Sequence, residues 1–281
     1  MTGTSGRQRV QNEALMESEI IVPPLKTQQK IASILSSKED KIELNDEMNK
    51  TLEEIAQTLF KRWFVDFEFP NEKGQPYKSS GGKMVDNELG EIPDGWRVVN
   101  LDSKKEFGEL IMGVSPKSSN YNTEYKGLPL LNGAADFDGT SLVPQKYSTE
   151  LTRTVQDGDF VFCIRATIGL LTSVDREYVI GRGVLGLTKI KKEYKEYIYF
   201  FLKNSFNTLK QKATGSVILG LSKIDINGLK LFSFDEDLLN HFHKVSSNLL
   251  EQIEVNSKET QNLIKIRDTL LPKLMNGEIE V

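Results

Sequence analysis

One stretch of nineteen residues returns in similar form near the other end of this chain, with seven identities, and the repeat limits what the chain can fold into more than any other feature. KIELNDEMNKTLEEIAQTL, Lys41–Leu59, aligns without a gap on QIEVNSKETQNLIKIRDTL, Gln252–Leu270, at a constant offset of 211 residues. Ile42, Glu43, Asn45, Leu52, Ile55, Thr58 and Leu59 meet the same residue types at Ile253, Glu254, Asn256, Leu263, Ile266, Thr269 and Leu270. Self-similarity of this kind marks one structural unit used twice. Within each copy the mostly apolar positions step by three and four, the spacing of a heptad seam. Ile42, Asn45, Leu52 and Leu59 mark one seam, and Ile253, Asn256, Leu263 and Leu270 mark the other. Asn45 and Asn256 sit at equivalent places, where a buried amide costs stability but fixes register and partner. Either run alone also suits an ordinary amphipathic helix whose Asn faces water. Two matched runs most simply pack on each other as an antiparallel pair. At ~1.5 Å per residue each helix is ~45–60 Å long, enough for a spacer rod.

Composition narrows the class. Hydrophobic residues make up 38% and charged residues 27%, as in a soluble globular chain. No apolar run approaches the ~20 residues of a membrane span. The start, MTGTSGRQRV, has no apolar core, so no secretory signal and a cytoplasmic location are expected. Cys163 is the one cysteine, which fits a reducing compartment. With His241 and His243 as the two histidines, the usual zinc ligand sets are not available. The formal net charge is −4, but Asn100–Ala213 carries 16 Lys/Arg against 13 Asp/Glu, net +3, and the remainder 20 against 27, net −7. The middle is therefore the more basic part, and a local basic face is compatible with the acidic total.

Along the chain, residues 1–24 form a polar lead-in ending in the strand-like EIIV. Pro23-Pro24 opens a helix, where a missing N–H costs nothing. That helix runs from Leu25 to about residue 66 and ends in LFKRWFVDFEF, whose aromatics belong in a core. Proline, glycine and serine mark a linker over 67–95. A mixed α/β domain follows over 96–235. Strands are expected at Trp96–Leu101, Glu109–Met112, Leu128–Leu131, Asp159–Arg165, Ile168–Val174, Tyr178–Ile180 and Val184–Ile190, with a helix over Tyr194–Lys212 whose apolar positions include Leu209. The second long helix occupies 236–281, is interrupted by Pro272 and stops at Asn276-Gly277.

Catalytic signatures are missing. Gly181–Gly186 matches G-x-G-x-x-G, but the following LTKIKK reads as strand where a dinucleotide site needs a helix. There is no P-loop, H-E-x-x-H, G-x-S-x-G or [ND]-P-P-[FYW] run. Cys163 in FVFCI reads as a core thiol, and His241 and His243 as ordinary helix-start residues. No catalytic residue, metal ligand or cofactor site is nominated. Binding is better supported. The polar loop with Lys117, Ser118, Ser119, Asn120 and Tyr121 suits phosphate contacts. Asn132, Arg165 and Arg182 lie at strand ends or glycine turns, and Asn and Arg are the residues that read adenine and guanine edges. A protein-binding coiled-coil adaptor is the alternative. Salt separates the two, because phosphate contacts release counterions and an apolar protein interface does not.

Together these residues resemble the specificity subunit of type I restriction-modification systems. PPLKTQQKIASIL (Pro23–Leu35), LFKRWFVDFEFP (Leu59–Pro70), ELGEIPDGWRVVNL (Glu88–Leu101) and IRDTLLPKLMNGEI (Ile266–Ile279) carry the resemblance, with SPKSSNYN, GDFVFCIRATIG and YVIGRG inside the domain. The resemblance implies an α+β fold: a target recognition domain flanked by two long helices that pair as an antiparallel coiled coil. It implies a non-catalytic subunit that reads half of a bipartite double-stranded DNA site. It also implies docking of adenine methyltransferase subunits, which use S-adenosylmethionine, and of an ATP-dependent restriction subunit where one exists. Family members usually hold two recognition domains; this chain shows one, with residues 1–24 like the tail of another. A homodimer reading a palindromic bipartite site is the expectation, because protein two-fold symmetry is mirrored in the site.

Overall fold

The computed structural model describes residues 22–139, 141–165, 167–212 and 220–279. Most of the lead-in, Ala166 and the side chain of Leu209 lie outside the described residues. The fold mixes helices and sheets and includes two helices of forty residues each. Helix α1 spans Leu25–Phe64, α2 Lys195–Lys212, α3 Lys223–Asn227 and α4 Glu236–Met275. The strands are β1 Met84–Asn87, β2 Gly90–Pro93, β3 Arg97–Asn100, β4 Glu109–Met112, β5 Tyr121–Asn122, β6 Leu128–Leu131, β7 Phe137–Asp138, β8 Ser141–Leu142, β9 Lys146–Ser148, β10 Thr154–Val155, β11 Phe160–Cys163, β12 Leu171–Ser173, β13 Tyr178–Ile180, β14 Val184–Thr188 and β15 Lys230–Ser233. Among the described residues no helix is long and apolar enough to cross a membrane.

The chain divides into two compact units, one reaching from Lys50 to Glu254 and the other holding the residues on either side. In the flanking unit, α1 buries Ile31, Ile42 and Asn45, and α4 buries Asn256 and Leu274. Leu35, Asn49, Leu263 and Leu270 are half-buried, four or seven residues from these positions. Asn45 Nδ2 donates to Glu259 Oε2 at 2.9 Å, and Asn256 Nδ2 donates to Asn49 Oδ1 at 2.9 Å. Asn49 Nδ2 reaches Ser257 Oγ at 3.2 Å, Lys41 pairs with Glu259 at 3.3 Å, and Arg267 pairs with Glu39 at 2.9 Å. Pro272 does not interrupt α4 as the sequence reading expects. The carbonyl it leaves without a donor belongs to Asp268, on the exposed side, and Asn276 N–H reaches the Pro272 carbonyl at 2.9 Å. Gly277 then stops the helix at φ +71°, with Glu278 N–H bonded back to Lys273 O.

The larger unit is built around aromatics from four elements. Phe64, at the end of α1, is 2% exposed. Its ring meets Tyr197 of α2 at 4.8 Å, Phe242 of α4 at 4.9 Å, Phe234 at 5.0 Å and Trp96 at 6.1 Å. Tyr197 Oη donates to Phe232 O and accepts from Phe232 N–H, which ties α2 to the β3–β15 ribbon. Leu59, nominated for the helix seam, packs against this core. His243 pairs with Glu196 at 2.5 Å and so is more than a solvated helix-start residue, while His241 is exposed and stands edge-on to Trp63 at 5.2 Å. Residues 67–95, whose composition marks a linker, are folded: β1 and β2 form a hairpin, and Phe69 stacks between Tyr77 and Trp96.

Two larger sheets and a β7–β8 ribbon carry the rest of this unit's strands. One is ordered β12-β11-β14-β4, all antiparallel, and the other β10-β13-β6-β9-β5, with β13 and β6 parallel. Four strands are shorter than the sequence reading expects: β3 covers Arg97–Asn100, β11 stops at Cys163, β12 covers Leu171–Ser173, and β14 stops at Thr188 because Lys189 takes φ +58°. Gly186 falls inside β14, so the G-x-G-x-x-G run leads into a strand and has no dinucleotide geometry. Cys163 is fully buried in β11, and burial first, then the Asp136 carboxylate, pushes its thiol up to about 12. Thiolate is the reacting species, so an aryl disulfide reagent at neutral pH is expected to leave the folded chain unmodified and to release one equivalent in urea. Rapid labelling of the folded chain would show that β11 opens readily.

Candidate nucleic-acid interface

Four chain segments meet at one end of these sheets, and backbone pairing explains why. β6 and β13 run parallel with Leu131 opposite Ile180, so Asn132 and Gly181 leave the sheet side by side. Gly181 N–H bonds to Leu131 O at 2.8 Å. β11 pairs with β14 so that Cys163 faces Val184, and Ile164 N–H reaches Gly183 O at 3.1 Å, which delivers Arg165 next to Arg182 and Gly183. Beyond β4, Gly113 N–H bonds to Val184 O and Val114 N–H to Ile180 O, bringing in Ser115. These contacts leave no room for side chains at the two glycines: a Cβ at Gly181 would run into Asn132 Oδ1, and one at Gly183 into Asn132 O. Close approach of the two loops is therefore what the glycines supply.

The result is an open pocket of about 460 Å³, lined by Ser115, Asn132, Gly133, Ala134, Arg165, Arg182 and Gly183. Asn132, Arg165 and Arg182 are exposed, and among the described residues neither guanidinium has an ion-pair partner. Ser115 Oγ accepts from Arg182 N–H and donates to Asn132 Oδ1, both at 3.2 Å. Beneath the pocket, Asp136 is 6% exposed. Its carboxylate accepts the backbone N–H groups of Asn132 at 2.8 Å, Gly133 at 3.2 Å and Gln145 at 3.2 Å. A carboxylate with three such donors is held in place, and it holds the Asn132 loop in return.

Of the eight residues nominated from sequence for binding, three converge in this pocket and five lie in a separate loop. Lys117, Ser118 and Ser119 are exposed, and Ser118–Asn120 form a short 3-10 turn leading to Tyr121. Glu150 anchors that loop, accepting from Lys117 N–H at 2.9 Å and from Asn120 Nδ2 at 2.7 Å. The Lys117 backbone bond, then the Asn120 side chain, lower the pKa of the Glu150 carboxyl. Asn120 thus positions the loop, while Lys117 and the two serines are exposed beside it. Lys146 lies 5.6 Å from the Tyr121 ring centroid. Sequence reasoning missed Ser115, Asp136 and Glu150. The Asn132-Gly133 turn signal with an acid three residues on could have pointed to Asp136. Nothing local marks Ser115 or Glu150. Asp136→Asn, which turns an amide donor toward backbone donors, is expected to cost about 1–3 kcal/mol, measured by urea denaturation. A loss near zero would mean that the loop is held by other contacts.

The fold and this pocket describe a recognition module: a rigid sheet scaffold presents exposed basic and amide groups on loops. The sequence matches the model of the type I restriction modification DNA specificity domain over residues 1–54 and 93–231, and the chain belongs to that family. It is similar to the putative type I restriction enzyme MjaX specificity subunit of Methanocaldococcus jannaschii, 28% identical over 95% of this chain and 60% of that one. The MjaIX specificity subunit of the same organism is 30% identical over 100% of this chain and 65% of its own length. The chain therefore spans about two thirds or less of these relatives. The crystal structure of a type I restriction-modification system S subunit from M. genitalium has the same fold, with a TM-score of 0.62 at 17% identity over 89% of this chain and 61% of that one.

Proposed function

We propose that the chain is a non-catalytic sequence-recognition subunit that reads one half of a bipartite double-stranded DNA site for adenine methyltransferase subunits docked on it. The observation that carries this reading is the convergence of Arg165, Arg182 and Asn132 on one open pocket within a specificity-domain fold. Guanidinium and carboxamide groups are the side chains that discriminate base edges. Lys117, Ser118, Ser119 and Tyr121 supply backbone contacts that set register. S-adenosylmethionine belongs to the methyltransferase subunits, and ATP to a restriction subunit where one assembles, so the chain itself needs no cofactor. The site of action is the cytoplasm. The 96–235 stretch is the recognition domain of this scheme.

The long helices act as an antiparallel coiled coil that spaces the halves of the site. The supporting contacts step in opposite senses: Asn49 with Ser257, Lys41 with Glu259, Glu39 with Arg267. Paired as a homodimer, two chains present two copies of the pocket to a palindromic site. Fluorescence anisotropy of the full chain on duplex DNA is the test. Affinity is expected to fall about tenfold or more between 50 and 200 mM salt as counterions are released. Binding insensitive to salt, or none, would favour a protein-binding adaptor.

A further inference from the structure

The groups around the pocket have one polarity. Ser115 Oγ accepts from Arg182 N–H, which leaves its proton for Asn132 Oδ1. Asn132 Oδ1 is also turned against Gly181, where no Cβ would fit. The carboxamide oxygen is thereby committed inward, and its NH2 is the end left for a ligand. Other acceptors nearby are used: Gly133 O by Asp136 N–H, Gly183 O by Ile164 N–H and Arg165 O by Thr167 N–H. The Asp136 carboxylate is buried under three backbone donors. The exposed side chains that line the pocket offer two guanidiniums and one amide NH2, all of them donors.

From this polarity we infer that the pocket takes the N7/O6 edge of guanine and rejects adenine, with Ser115 as the positioning residue that sets the choice. The inference rests on the DNA reading above and deepens it. Guanine offers two acceptors in the major groove, whereas adenine offers an acceptor beside a donor. An Asn reads adenine by presenting its oxygen and its NH2 together. Asn132 does not present that pair while its oxygen is turned toward Ser115. A phosphate would satisfy the same donors. Phosphate contacts, however, do not need a carboxamide fixed at both its backbone and its side chain, and Lys117 with the exposed serines already suits that task.

The test uses the full chain and a duplex that it selects from a random-sequence pool. Each guanine is replaced in turn by 7-deazaguanine, which pairs normally but lacks N7. At one or two positions affinity is expected to drop at least about tenfold, the scale of a lost base-edge contact. Asn132→Asp, which exchanges the outward donor for an acceptor, abolishes that drop. Ser115→Ala frees the carboxamide to turn and admits adenine at the same position, while Ser115→Thr restores guanine. Sensitivity to 7-deazaadenine in place of 7-deazaguanine would overturn the assignment and make Asn132 an adenine reader. Tolerance of both analogues, with loss only on methylphosphonate substitution, would overturn it in favour of a phosphate site. If the chain binds DNA with no sequence preference, the assignment fails and DNA binding stands; if it retains no DNA, the DNA reading fails as well.

Discussion

Phe64→Ala is expected to remove a large share of the stability of the larger unit. Phe64 is 2% exposed and touches rings from α2, α4, the 96–100 segment and the residue after β15. Among the ring contacts of the described residues, no other side chain joins as many separate chain segments. Truncation of a buried phenylalanine costs about 3–5 kcal/mol, the lost transfer energy plus the cavity left behind. Whole domains have about 5–15 kcal/mol to lose. The surrounding rings are rigid and held by the Tyr197–Phe232 hydrogen bonds, so the cavity cannot collapse cheaply. Urea denaturation followed by tryptophan emission reads the effect directly, because Trp63 and Trp96 both flank Phe64. A midpoint shift equivalent to less than about 1 kcal/mol would mean that the end of α1 packs elsewhere.

The largest effect on function is expected from removing both guanidiniums of the pocket. Arg165→Ala with Arg182→Ala deletes two exposed side chains and no internal ion pair among the described residues, so stability should barely change. Each base-edge contact is worth about 1–3 kcal/mol of discrimination. Together their loss should lower preference for the selected site over unrelated DNA by at least about thirty-fold, at about 1.4 kcal/mol per decade. Lys117→Ala should act differently, weakening every sequence alike and reducing the salt slope by about one. Competition titrations with selected and scrambled duplexes separate the two behaviours. Equal, uniform losses in all variants would show that the arginines hold phosphates.

How far the sequence reveals this architecture depends on the range of the forces involved. Helix α1 is legible because Pro23-Pro24 opens it and a spacing of three and four runs its length. β4, β6 and β13 are legible as apolar runs between turn residues. The 67–95 stretch misleads, because glycine and proline in a tight hairpin look like glycine and proline in a linker; burial of Phe67, Phe69 and Ile92 decides the matter. Pro272 misleads for the opposite reason, since one missing hydrogen bond near a helix end is cheap. Site residues are legible as types, not as an assembly. Asn132, Arg165 and Arg182 come together only through the parallel β6–β13 pair and the β11–β14 register, both long-range. Ser115 gains its role from that assembly, so no local pattern announces it, whereas Asp136 closes a local turn that the Asn132-Gly133 pair signals.

The most direct measurement of the central claim is genome-wide adenine-methylation mapping in cells that co-express this chain with a methyltransferase subunit of the same family type. The expected result is one new bipartite motif with palindromic halves, altered by the Arg165→Ala, Arg182→Ala pair and lost without the chain. No new methyladenine motif, with both proteins soluble and associated, would contradict a role in sequence recognition.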